Sequence, residues 1–276
     1  MSQDSKSPDA PPPPRLKVLD FGTGMAPAIV TRYLLETGAE ILRIEPRNGD
    51  PFYRKYPAYQ VWQRGKEVRH RQDVSDADLA ACAANADVCV VGGEDFPGLE
   101  RLGDAEQLSR QHPRLVVLSI TAYPEALSLP NRAGAEILVQ ARSGLCYEHY
   151  TARPLRMSFE PCNYGAALQG LTGLLGALFD RERGGRGQVV RTSLFEGALT
   201  YGCSLWSEAS KSTPMFEFAI PKDPHPLIFK CKDGRFVHLI MGSAGSKAKL
   251  YGVLGINDPT LDATAECRVS RPCART

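Results

Sequence analysis

Apolar positions between residues 15 and 210 alternate between short β-branched runs and longer stretches with helical spacing. Residues 15–21 (Arg-Leu-Lys-Val-Leu-Asp-Phe) predict a first strand. The turn Gly22-Thr23-Gly24-Met25-Ala26-Pro27 leads into helical periodicity over 27–37 through Ile29, Tyr33 and Leu34. Gly38 stops that helix, and Glu40-Ile41-Leu42-Arg43-Ile44-Glu45 predicts a second strand. Residues 17–45 thus read as a βαβ unit with a right-handed crossover. The pattern recurs: helix 76–85, strand 88–91, helix 104–111, strand 114–120 and helix 133–142. A long Ala- and Leu-rich helix over 164–183 follows, closed by Gly184-Gly185-Arg186-Gly187, then strand 188–193 and helix 194–210. Such alternation predicts an α/β fold, a mostly parallel sheet with helices on both faces.

The texture changes after residue 210. Residues 211–226 are proline-rich and read as a linker. Residues 227–262 hold a hairpin signal around Asp233-Gly234 and a helix over 246–254, the start of a small second domain. Residues 263–276 show no period and read as an irregular tail. Residues 1–14, with their tetraproline run, read as a disordered leader without the apolar segment of a secretory signal. No apolar run reaches about 18 residues, so no membrane span is expected and the chain is read as cytoplasmic.

A net charge of +2 over 276 residues argues against a dedicated nucleic-acid surface but leaves room for a local basic patch. The eight cysteines form no CxxC pair and no cluster with zinc spacing, so buried free thiols are expected and no metal. Basic residues gather at Arg43, Arg47, Arg64, Lys66, Arg69, His70 and Arg71. Within that group Arg64-Gly65-Lys66 is pointed, because glycine admits a close backbone approach and two flanking cations suit phosphates. Gly22-Thr23-Gly24 lacks the third glycine of a dinucleotide fingerprint, although the backbone N–H groups of such a helix start can receive an anion. Acid–base candidates are sparse: His149 and His225 are isolated, Ser143 and Ser193 lack a nucleophile-elbow context, and Glu160 lies in a loop before the long helix. The residues alone describe an α/β protein with an anion-binding face.

An ordered set of motifs adds to this. It begins with Val18-Leu19-Asp20-Phe21, Gly38-Ala39-Glu40-Ile41-Leu42-Arg43-Ile44-Glu45-Pro46, Gly49-Asp50-Pro51 and Arg64-Gly65-Lys66. It continues with Asp95-Phe96-Pro97-Gly98-Leu99-Glu100-Arg101-Leu102-Gly103, His112-Pro113-Arg114 and Gly134-Ala135-Glu136. It closes with Gly173-Leu174-Leu175-Gly176-Ala177-Leu178-Phe179, Gly187-Gln188-Val189-Val190 and Ser193-Leu194-Phe195-Glu196. Together these resemble the class III CoA-transferases, a family that includes formyl-CoA and carnitine-CoA transferases and α-methylacyl-CoA racemases. The resemblance implies a Rossmann-like large domain, CoA or an acyl-CoA as substrate with no tightly bound cofactor, and a homodimer of interlocked rings. The chain stops just after the small domain would begin, which leaves ring closure open. It also implies CoA contacts at Gly24, Met25, Ala26, Arg47, Arg64, Lys66, Phe96 and Arg101. The family's aspartate nucleophile falls at Asn163, and the racemases' histidine at Ala135. An amide cannot form the acyl anhydride, so Asn163 and Glu160 are the candidate catalytic positions. The expected function is action on a CoA thioester, by CoA transfer or by isomerisation or racemisation. The alternative is a catalytically silent member that binds acyl-CoA or serves as an assembly subunit.

Overall fold

The computed structural model describes residues 15–94, 103–127, 134–147, 153–201, 210–211, 228–239 and 245–257. The chain divides into two compact units, one ending at residue 203 and the other beginning at 204. The first unit carries a six-stranded sheet: β1 (Lys17–Thr23), β2 (Glu40–Glu45), β3 (Glu67–His70), β4 (Val88–Gly93), β5 (Val116–Thr121) and β6 (Val189–Ser193). The strand order is β3-β2-β1-β4-β5-β6, and every pairing is parallel. The order reverses between β1 and β4, where Leu19 sits opposite Cys89 in register. That reversal opens a crevice beyond the C-terminal ends of these two strands, where ligands enter open α/β sheets.

Both faces of the sheet are covered, which is why its central strands read as nearly continuous apolar runs. Val18, Val88, Val90, Val116, Leu118 and Ile120 face α1 (Met25–Glu36) and α7 (Pro161–Gly184). Leu19, Phe21, Ile44, Cys89, Val91 and Val117 form the core of the other face, with Leu79, Ala83 and Leu108 from α4 (Asp76–Ala84) and α5 (Ala105–Gln111). Among the described residues of this unit the further α-helices are α2 (Phe52–Lys55), α3 (Tyr59–Gln63), α6 (Glu136–Ser143) and α8 (Leu194–Tyr201).

The sequence reading did not anticipate α2 and α3, and α1 begins at Met25 rather than 27; two further departures have a plain physical reason. The segment read as a basic-rich surface contains edge strand β3, in which all four residues are exposed. With no buried face, it carries no apolar alternation to betray it, and it is held through its pairing to β2. The long helix starts at Pro161 rather than 164, because proline suits the first helical turn, and Gly185 ends it in the left-handed conformation. α7 and α8 approach through glycines. A Cβ on Gly165 would lie 2.3 Å from the carbonyl oxygen of Gly197, and one on Gly197 would lie 2.3 Å from that of Cys162.

In the second unit the predicted hairpin forms from β7 (Ile228–Lys230) and β8 (Phe236–His238), antiparallel, and the predicted helix is α9 (Ser246–Leu254). Among the described residues no helix is long and apolar enough to cross a membrane, and no cluster of His, Cys, Asp and Glu could hold a metal ion. The described cysteines Cys82, Cys89, Cys146, Cys162 and Cys231 are free thiols.

Candidate active site

The β1 and β4 strand ends run so close that a Cβ on Gly93 would lie 1.9 Å from the carbonyl oxygen of Thr23. This approach sets Glu94, just past β4, beside the start of α1. Asn163, on the first turn of α7, reaches the same place and is fully buried. Its Oδ1 accepts from the Ala26 N–H at 3.0 Å. Its Nδ2 donates to Glu136 Oε2 at 2.8 Å and to Glu94 Oε1 at 3.2 Å. The amide therefore bridges two carboxylates that are each about 1% exposed. Its orientation is dictated by its surroundings: one neighbour needs an acceptor and two need donors, a combination that a primary amide meets and a carboxylate does not.

Glu136 also holds the helix. Its Oε1 accepts from the Cys162 N–H at 3.0 Å and from Gln140 Nε2 at 2.9 Å, and its Oε2 accepts from the Asn163 N–H at 2.9 Å. The otherwise orphaned N-terminal N–H groups of α7 are thus satisfied by a carboxylate from α6. Glu94 accepts from the Tyr56 hydroxyl at 2.8 Å and from Lys55 Nζ at 2.6 Å. The Lys55 side chain is a third exposed and lies over the rings of Phe52 and Tyr56, so this end of the cluster reaches solvent. Burial and the neighbouring Glu94 push the Tyr56 hydroxyl well above the ordinary tyrosine range, keeping it a proton donor. Burial, with Glu136 next, likewise raises the Cys162 thiol, so Cys162 supplies no thiolate.

Glu160 is the N-cap of α7. Its backbone is left-handed, with φ 59° and ψ 57°, and among the described residues it is the one non-glycine with positive φ. The side chain is buried, its Oε1 paired with Arg156, and its Oε2 has no partner.

The expected CoA contacts separate. Lys66, expected as a cationic ligand, is buried in a hydrogen-bonded position. Its ammonium is buried, donating to Thr31 Oγ1 and Gln63 Oε1 at 2.6 Å each, to the Ala28 carbonyl at 3.3 Å and to Asp20 at 3.5 Å. Burial lowers its pKa to about 8 against the opposing pull of Asp20. Asp20 also ties Lys66 to Arg43, which is fully buried and donates to Asp20, Glu45, Asp50, Tyr59 and the Gly22 carbonyl. Arg47 and Arg64 are exposed on the surface. Gly24 is the N-cap of α1 and Met25 and Ala26 are its first residues, all three buried, and the Ala26 N–H is engaged by Asn163. Phe96 and Arg101 lie outside the described residues.

Lys55, Tyr56 and Glu94 were missed from sequence, and Glu136 was noted only as part of a motif. A signal was present in the acidic residue directly after the apolar β4 run, Val90-Val91-Gly92-Gly93-Glu94.

A family model described as CoA-transferase family III matches residues 15–273. The chain belongs to this family. It is 28% identical over 249 residues to the succinyl-CoA–L-malate CoA-transferase alpha subunit of Chloroflexus aurantiacus, covering 80% of this chain and 56% of the relative. It is 28% identical over 248 residues to the acetyl-CoA:oxalate CoA-transferase of Acetobacter aceti, covering 80% and 61%. To the human alpha-methylacyl-CoA racemase it is 28% identical over 236 residues, covering 78% and 58%. The chain therefore spans little more than half the length of these curated relatives. The fold agrees with a hypothetical protein from Mycobacterium tuberculosis, at TM-score 0.65, 20% identity and coverage of 89% and 70%. It also agrees with a CAIB/BAIF family protein from Brucella suis, at TM-score 0.64, 22% identity and coverage of 87% and 69%.

Proposed function

We propose that this chain binds a CoA thioester in the crevice at the β1–β4 reversal and acts on it, by CoA transfer or by isomerisation or racemisation. The observation that carries this reading is the pair of buried carboxylates, Glu94 and Glu136, joined through the Asn163 amide just past the end of β4. Transferases and a racemase named for different acyl groups share the CoA thioester, and all are similar to this chain over most of its length.

Asn163 aligns rather than attacks, because its amide nitrogen is delocalised and already donates to both carboxylates. Glu136 is committed to the helix start. Glu94 is the carboxylate with a route to solvent, beside Lys55, and we assign it the proton-transfer or nucleophilic role. Tyr56 and Lys55 hold it by charge-assisted hydrogen bonds. We assign Arg47 and Arg64, which are exposed, to the anionic end of CoA, and Phe96 and Arg101 keep that assignment from the family pattern. We further propose a homodimer in the cytoplasm. Tyr164, Leu168, Leu175 and Phe179 recur at helical spacing along one side of α7, and Phe179 is 66% exposed, the kind of stripe that needs a partner surface.

The test is acyl-CoA incubation with hydroxylamine quench and peptide mass analysis, alongside α-proton exchange in deuterated water. The expected outcome is a hydroxamate on Glu94, or α-deuteration abolished by Glu94→Gln. A hydroxamate on Glu160 would move the nucleophile there. Neither product, together with no thioester binding in calorimetry, would overturn the reading.

A further inference from the structure

We propose that Glu160 determines substrate specificity, its free carboxylate oxygen accepting a hydrogen bond from an O–H or N–H group of the bound CoA thioester. This rests on the CoA-thioester reading above.

Two costly features coincide on this residue. A side chain beyond glycine is strained in the left-handed region, and a buried carboxylate oxygen without a donor loses its hydration for nothing in return. The fold does not explain either. Glu160 does not cap α7 with its side chain, because Glu136 satisfies the N–H groups of Cys162 and Asn163. Its ion pair uses Oε1 alone, and the partner Arg156 is half exposed, a setting in which such pairs contribute little. A glycine at this place would keep the turn and remove both costs.

The residue also stands at the site. It lies one helical turn before Asn163, and the charge of Arg156 acts on Tyr56, whose hydroxyl holds Glu94. On this proposal the unpartnered oxygen faces the substrate near the Asn163 amide. Its charge rejects an anionic substrate group and selects a neutral donor. A hydroxyacyl-CoA offers such donors in two places: the hydroxyl of its acyl group, and the amide N–H groups and hydroxyl of the pantetheine arm.

Calorimetry with CoA, propionyl-CoA and lactoyl-CoA separates these sources, using wild type, Glu160→Gln and Glu160→Gly, with melting curves for all three proteins. If the donor is the acyl hydroxyl, wild type prefers lactoyl-CoA to propionyl-CoA by about tenfold and Glu160→Gly loses that preference. If it lies on the pantetheine arm, Glu160→Gly weakens all three ligands by about tenfold. In both cases Glu160→Gly melts about 2–4 °C higher through relief of strain. Glu160→Gln, which keeps both the backbone strain and an acceptor oxygen, melts like wild type and retains part of the effect. A more stable Glu160→Gly variant with unchanged affinity for all three ligands overturns the proposal. Failure of wild type to bind any of them breaks the CoA reading itself.

Discussion

Two buried polar clusters lie on this sheet, and they differ in how completely they are closed. Around Arg43, the guanidinium is used up by three carboxylates, a tyrosine hydroxyl and a carbonyl, and Lys66 fills the remaining face of Asp20. Its loose end among the described residues is Gln63 Nε2. Around Asn163, the network is equally dense at its centre but opens at one margin, through the partly exposed Lys55, and the buried Glu160 three residues before Asn163 keeps an unpartnered oxygen. Closed networks fix a fold. Open ones leave bonding capacity for something that arrives later.

The largest effect should come from breaking the closed cluster. Arg43→Met leaves Asp20, Glu45 and Asp50 facing one another without their cation, and is expected to cost about 3–5 kcal/mol, enough to unfold much of the protein. Urea denaturation followed by circular dichroism would read this. A loss below about 1 kcal/mol would mean that the hub is dispensable.

Asn163→Asp carries the same logic into the open cluster. It replaces a double donor with a third carboxylate between Glu94 and Glu136. The expected cost is about 2–3 kcal/mol at neutral pH, with the new carboxyl titrating above the ordinary aspartate range. A carboxyl whose folded pKa is raised makes stability fall as pH rises, so the variant should approach wild type as pH drops from 7 to 5. A variant equally stable at both pH values would mean that the two glutamates are not charged as placed.

Lys66 gives a smaller and oppositely signed signal. Its folded pKa, about 8, lies below the ordinary lysine value of 10.5, so the folded state bears a desolvation penalty below pH 8 that fades as pH rises from 8 towards 10.5. Wild-type stability should therefore gain on the order of 1–3 kcal/mol relative to Lys66→Met across that window, because the unfolded chain binds the extra proton there. Parallel pH profiles for the two proteins would contradict this. The same variant separates a structural part for Lys66 from the phosphate contact expected from sequence: a structural part lowers the melting temperature more than it weakens CoA binding, and a phosphate contact does the reverse.

The smallest effect on folding concerns the α7 surface. Phe179→Glu together with Leu175→Glu should change monomer stability by less than about 0.5 kcal/mol while converting the proposed dimer to monomer. Light scattering at high micromolar concentration reads this, and an unchanged mass would place the dimer contact elsewhere.

The strand–helix alternation was legible because both faces of the sheet are buried, and burial writes itself into apolar runs such as Val88 to Val91. β3 was not legible, because an edge strand exposed on both sides needs no pattern. The position of Asn163 followed from family spacing, but its meaning did not. Glu94 and Glu136 lie 69 and 27 residues away in the chain, and nothing local signals that they converge. The burial of Lys66 was missed for a related reason: a lysine in a basic, glycine-containing run reads as solvent-facing until the fold shows the acceptors packed around it.

The glycine contact between α7 and α8 sets a mechanical tolerance on the chemistry. The Cys162 carbonyl that would collide with any side chain at Gly197 belongs to the residue directly before Asn163. A methyl group added there must drive the start of α7 outward by roughly 1 Å to restore an ordinary contact distance. A shift of that size would stretch the 2.8 Å and 3.0 Å bonds of the Asn163 side chain beyond useful length. The alignment of the two carboxylates is thus gauged by atoms that are missing from a neighbouring helix, and a substitution at Gly197 would act on the proposed reaction without touching any group assigned to it.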